Sequence, residues 1–140
     1  MSERNKALVR DMVESVLNQR DIAALDGFVA EEYAELDPTP GQKPGRDGLK
    51  QLLSAALAAF PDLQFTILER VAEGDTVVSR FRYIGTHLGD FDGVSATGGH
   101  VSVKGVVINR VIDGLLADGR ILEDRLALMR QLGVVPSGPS

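Results

Sequence analysis

The sequence predicts an α+β fold in which helices are gathered first and long antiparallel strands second, the strands making one long, curved antiparallel sheet that wraps the helices around a mostly apolar pocket. Three observations carry this reading. Apolar residues recur at helical spacing up to Phe60, they alternate with polar ones from Leu63 onward, and Asp113-Gly114 separates two β-branched runs as a hairpin turn does.

The first helix shows in Leu8, Val9, Met12, Val13, Val16 and Leu17, with Arg10, Asp11 and Glu14 on the wet side. Asp21 is a suitable N-cap for a second, short helix whose buried stripe would be Ile22, Leu25, Phe28 and Val29, and a polar connection follows. Residues 37–45 hold too much Pro and Gly for a helix or central strand and read as an ordered loop able to line a pocket mouth. A third helix carries Leu49, Leu52, Leu53, Ala56, Leu57 and Phe60 on one face until Pro61 stops it.

Leu63, Phe65 and Ile67 alternate with Gln64 and Thr66, and Glu73-Gly74-Asp75 turns the chain into a strand running from Thr76 towards His87. Four glycines and two aspartates make residues 88–99 a crossing loop before the longest strand, Val101 to Ile112. After Asp113-Gly114 the chain should return from Leu115 to about Glu123, and Leu126, Leu128, Met129 and Leu132 fit a short closing helix. At 140 residues the chain reads as a single domain over residues 1–135 with a flexible tail over 136–140.

Fifteen basic against twenty acidic residues leave a net charge of −5, which argues against nucleic acid and anionic lipid as partners. With no cysteine there is no disulfide, thiolate nucleophile or thiolate metal site. The polar N-terminus lacks the apolar stretch of a secretory signal, so a cytoplasmic location is expected. The chain carries no phosphate-binding glycine motif, no Gly-x-Ser-x-Gly and no His-Glu-x-x-His, and its only histidines, His87 and His100, lie thirteen positions apart without a ligand spacing. No metal or cofactor is expected.

That leaves carboxylate chemistry. Side chains two apart on a strand share a face, which would group Leu116, Asp118, Arg120, Leu122 and Asp124. On an apolar concave surface, desolvation would raise a carboxylate pKa into the range of a usable acid or base, and Asp124 is the first candidate. Asp124 also suits the cap of the closing helix, and Asp118 with Arg120 suits an exposed pair at a second turn. His87 is a further candidate proton carrier at the end of its strand, and Asn109 and His100 are further candidates for reaching the pocket.

Leu17-Asn18-Gln19-Arg20-Asp21, Tyr33 through Pro38, Pro44 through Gly48, Phe60-Pro61-Asp62-Leu63, Gly85-Thr86-His87, Arg110 through Gly114 and Leu132-Gly133 together resemble the SnoaL-like polyketide cyclases, an ester-cyclase branch of the cone-shaped fold of nuclear transport factor and ketosteroid isomerase. The resemblance implies a cone-shaped α+β barrel with the N-terminal helices packed in the concave face of the sheet. It places Asp124 at the family's acid/base position and implies a cofactor-free, intramolecular aldol-type ring closure on a small polyketide-like substrate, as in antibiotic biosynthesis. Epoxide hydrolases of the same fold resemble this chain in pairing an Arg with two carboxylates, here Asp118, Arg120 and Asp124. Polyketide hydroxylases working with a reductase, and a non-catalytic binding module, are the other readings of the fold.

The chain departs from the family where Leu17 and Arg120 stand for the usual Trp and Leu36 for a frequent His, which implies a less aromatic cavity. The family is usually oligomeric, and Val78, Ile84, Val106 and Ile108 would give the outer sheet face enough apolar surface to pair subunits, so a homo-oligomer, dimer or tetramer, is expected.

Overall fold

The computed structural model describes residues 2–135, so the tail over 136–140 lies outside the described residues. Helix α1 (Ser2–Met12) runs into a π-helical segment (Val13–Asn18), and a 3-10 helix (Ile22–Gly27) follows, with the Asp21 carboxylate accepting the Ala24 N–H as its cap. Then come β1 (Val29–Glu35), α2 (Gly45–Ala59), β2 (Gln64–Glu73), β3 (Thr76–Thr86), β4 (His100–Ile112), β5 (Leu115–Glu123) and α3 (Arg125–Gln131). The five strands form one sheet in the order β1-β5-β4-β3-β2.

Two elements differ from expectation. The helical stripe ends at Gly27, Phe28 caps it, and Val29 opens a strand that pairs parallel with β5, so the sheet is mixed at this edge. All other neighbours are antiparallel, including the β4–β5 hairpin, where Asp113 and Gly114 take the positive φ of 52° and 78° that a primed turn requires.

Helix α1 lies against β2 and β3, α2 against β1, and α3 against β4. One core cluster gathers Val9, Val16, Leu25, Val29, Tyr33, Val77 and Leu116, and the other Phe60, Phe81, Tyr83, Val103, Leu128 and Leu132, while Met12, Leu53 and Ile67 pack against both. Each fully buried large side chain contributes about 1.5–3 kcal/mol relative to exposure. This filling is what holds the sheet curved around its helices.

The register fixes which residues look inward. Val77, Ser79, Phe81 and Tyr83 of β3 pair with Asn109, Val107, Gly105 and Val103 of β4, and the first four are buried. Along β5 the ladder slips at Ala117, which has no partner between Leu116 and Asp118. One unpaired residue inverts the alternation beyond it. Leu116 therefore faces inward together with Gly119, Ile121 and Glu123, opposite Asn109, Val107 and Gly105, whereas Asp118, Arg120 and Leu122 face outward, opposite Arg110, Ile108 and Val106. The face expected to join Leu116 with Asp118, Arg120 and Leu122 is split by this bulge.

Candidate active site

Beyond the bulge, the carboxylate that β5 presents to the interior is Glu123. Its Oε2 accepts a 2.7 Å hydrogen bond from the Tyr83 hydroxyl, and its side chain is 19 % exposed. Burial raises the Glu123 carboxyl above the ordinary glutamate range, with the Tyr83 hydrogen bond pulling the other way. Burial likewise raises the Tyr83 phenol, helped by the neighbouring carboxylate, so Tyr83 keeps its proton at any physiological pH.

Gly105 makes this pair possible. It stands directly across β4 between Phe81 and Glu123, and a Cβ there would lie 2.5 Å from Phe81 Cζ and 3.0 Å from Glu123 Cα. The space a side chain would fill is taken by the Phe81 ring, which stacks on Phe65 with centroids 4.6 Å apart. Next to Glu123 on the inner face Ile121 remains 39 % exposed, which marks the side on which the concave surface is open to solvent. The result is a proton-bearing phenol and a partly desolvated carboxylate on an aromatic and aliphatic wall.

Asp124 sits one residue further on. Its carboxylate caps α3 by accepting the Ala127 N–H at 3.0 Å, and the residue is exposed. Asp118 and Arg120 share a shallow outer hollow of about 350 Å³ with Ile108 and Leu36. There Asp118 pairs with Arg110, at 2.7 and 2.9 Å, while Arg120 lies opposite Ile108. Asp124 belongs to the other end of β5, so the three residues do not converge.

His87 is fully buried against Phe60, their rings 5.5 Å apart. Its Nδ1 accepts the Thr97 backbone N–H at 3.2 Å, which leaves the proton of the neutral ring on Nε2, and that atom has no hydrogen-bond partner among the described residues. His100 is exposed, with Nδ1 3.0 Å from the Thr86 hydroxyl. Asn109 does face inward, its amide 3.4 Å from the Asp118 carbonyl.

A second phenol–carboxylate pair lies at the β1 edge, where the Tyr33 hydroxyl donates to Glu35 at 3.0 Å. Burial, together with Asp37, raises the Glu35 carboxyl against the pull of Tyr33. Here Gly119 leaves the room, since a Cβ on it would lie 2.2 Å from the Tyr33 hydroxyl and 2.8 Å from the Asn109 amide. Beside this pair is a hollow of about 830 Å³ walled by β1, the Pro- and Gly-containing loop and the first turn of α2, including Tyr33, Glu35, Pro38, Lys43 and Asp47. Sequence reasoning missed Glu123, Tyr83 and this second pair. The available signal was a glycine in mid-strand at Gly105 and again at Gly119, each facing a residue two strands from an aromatic.

An α+β cone with an acid–phenol pair on its inner wall defines a class of small-molecule domains rather than nucleic-acid or metal proteins. The sequence matches the family model of SnoaL-like polyketide cyclases over residues 7–132, and the chain belongs to that family. It is similar to the solved structure of TsrD from Streptomyces laurentii, at 31 % identity over 92 % of this chain and 97 % of that one, with a TM-score of 0.84. AclR from Streptomyces galilaeus, a proposed hydroxylase, is 28 % identical over 100 % of this chain and 87 % of its own, with a TM-score of 0.84. A proposed polyketide cyclase from Acidithiobacillus ferrooxidans is 27 % identical over 93 % and 94 %, with a TM-score of 0.82. A comparison with curated protein sequences finds no match. Among the described residues no helix is long and apolar enough to cross a membrane, and no group of carboxylates and histidines is arranged to hold a metal ion.

Proposed function

We propose that this chain is a cofactor-independent polyketide cyclase in which Glu123, held by Tyr83, is the acid/base of an intramolecular aldol-type ring closure. The observation that supports this reading most is a carboxylate turned to the inner face and desolvated at the open side of the cone. Ionised Glu123 removes a proton from a carbon flanked by carbonyls, and the enolate carbon attacks an internal carbonyl to form the ring bond. The protonated carboxyl then returns its proton to the new alkoxide, so the reaction is an isomerisation that consumes nothing. Tyr83, always protonated, can donate to the enolate oxygen as charge builds there. The apolar wall of Phe65, Phe81 and Val107 serves mainly to hold the folded substrate in an attack geometry.

In this scheme Asp124 starts α3 and fixes the direction in which Glu123 leaves the sheet, and His87 holds the base of the neighbouring loop. The competing assignment, in which the family's acid/base position at Asp124 does the chemistry itself, is separated by substitution. Ring closure of a methyl-ester polyketide precursor in buffer without cofactor should be lost in Glu123→Gln and largely kept in Asp124→Asn. Loss in folded Asp124→Asn with activity kept in Glu123→Gln reverses the roles.

The likeness to AclR favours one second reading, a hydroxylase. Turnover that requires a reduced nicotinamide and a second protein would select it. On the outer face Leu122 is 78 % exposed and is neighboured by Val106, Ile108 and Val78 across the ladder, which supports pairing of subunits through the sheet. Light scattering should return a multiple of the chain mass, and Leu122→Glu should lower it.

A further inference from the structure

The crossing loop, residues 88–99, is a built element. Its base is tied by backbone bonds from His87 N–H to Gly99 and from Gly98 N–H to His87, and by the Thr97 N–H to the His87 ring. On the other side Leu88 and Gly89 both donate to the Ala59 carbonyl at the end of α2, an approach so close that a Cβ on Gly89 would meet the Ala58 carbonyl oxygen at 2.6 Å. The tip is a tight turn, with Asp92 and Gly93 at φ of 50° and 77° and Phe91 and Val94 exchanging both backbone bonds. This turn places Phe91 edge-on against Phe60, centroids 5.3 Å apart, and points the Asp92 carboxylate at α3.

The receiving residue is Arg125, the first of α3. One guanidinium nitrogen pairs with Asp92, the guanidinium carbon lies 5.8 Å from the Phe91 ring centroid, and the other nitrogen is 3.8 Å from Glu123 Oε1. We infer that Arg125 is a positioning residue that latches this loop over the Glu123 side of the cone, so that releasing one side chain opens the interior acid/base to substrate and water. The three contacts come from one planar fork and are only partly exposed, which is the arrangement in which an Arg is worth more than a Lys. The latch rests on the reading of Glu123 as the interior acid/base, but its closing and opening are measurable without substrate.

The chain has two tyrosines and no tryptophan, so in a Tyr33→Phe background the emission comes from Tyr83 alone. In that background Asp92→Asn and Arg125→Gln should each increase acrylamide quenching of Tyr83, with Arg125→Lys falling between them and the parent. In parallel, hydrogen exchange at the Phe91 and Val94 amides should quicken about fivefold in each variant, the scale of a partly exposed ion pair. The double variant should be no faster than either single one, because both remove the same contact. Unchanged quenching and exchange, multiplying effects in the double variant, or acceleration at Leu128 in α3 rather than in the loop would overturn the latch. Loss of the cyclase reading would show instead as activity in Glu123→Gln, with these loop measurements unaffected.

Discussion

The two phenol–carboxylate pairs have the same parts and different surroundings. In each, a buried tyrosine donates to a glutamate whose carboxyl is raised by burial, and in each the glutamate lies across the ladder from a glycine, Glu123 from Gly105 and Glu35 from Gly119. Tyr33 and Glu35 are two residues apart on an edge strand, so their pairing follows from local alternation. Tyr83 and Glu123 are 40 residues apart and meet only because β3, β4 and β5 are in register. The pair assembled by the whole sheet faces the aromatic interior and the loop latch, whereas the local pair faces the loop that precedes α2. A desolvated carboxylate is thus not sufficient evidence of chemistry in this fold, and its position decides.

The comparison breaks most sharply by activity. Glu123→Gln should lower ring closure by about 10²–10⁴-fold, the usual contribution of general acid–base catalysis, while Glu35→Gln leaves it nearly unchanged. Equal losses in both, measured on folded protein, would make the two pairs one functional unit. Next in size are the glycines. Gly105→Ala must displace the Phe81 ring or the Glu123 backbone and should cost about 1–3 kcal/mol in chemical unfolding, with activity lost as well. Gly119→Ala presses on the Tyr33 hydroxyl and should destabilise without abolishing turnover. Asp124→Ala should cost about 1 kcal/mol through the lost helix cap, and a far larger drop in activity than in stability would return the acid/base role to Asp124.

The smallest effect is linkage. A folded-state carboxyl raised above its unfolded value gives stability that is fully present below the unfolded pKa and is lost as pH rises through the folded pKa. Glu123→Gln and Glu35→Gln should therefore each melt above wild type at pH 7, the differences vanishing below the ordinary glutamate range. Melting curves that stay parallel at all pH values would show that burial does not penalise the charge.

Much of the architecture was legible because its signals are local. Asp113-Gly114 can hardly be other than a primed turn, Pro61 ends α2, and the alternation from Leu63 marks the β2–β3 hairpin. Strand β1 was not, because Val-Ala-Glu-Glu-Tyr-Ala-Glu is an acidic edge strand with one β-branched residue, held by parallel pairing to a strand more than 80 positions away. The site suffered from a single residue. Ala117 is unpaired, and an alternation counted through it assigns the wrong face to everything that follows, which hid Glu123 behind its capping neighbour Asp124. A bulge is decided by how two strands meet, which no local pattern contains.

The central claim, that Glu123 in its desolvated seat is the acid/base, is tested most directly by the pH dependence of ring closure in wild type and Asp124→Asn. Both should show an acidic limb lying above the ordinary glutamate value, rate rising as the raised Glu123 carboxyl ionises. A limb that disappears in Asp124→Asn but persists in Glu123→Gln would contradict the account.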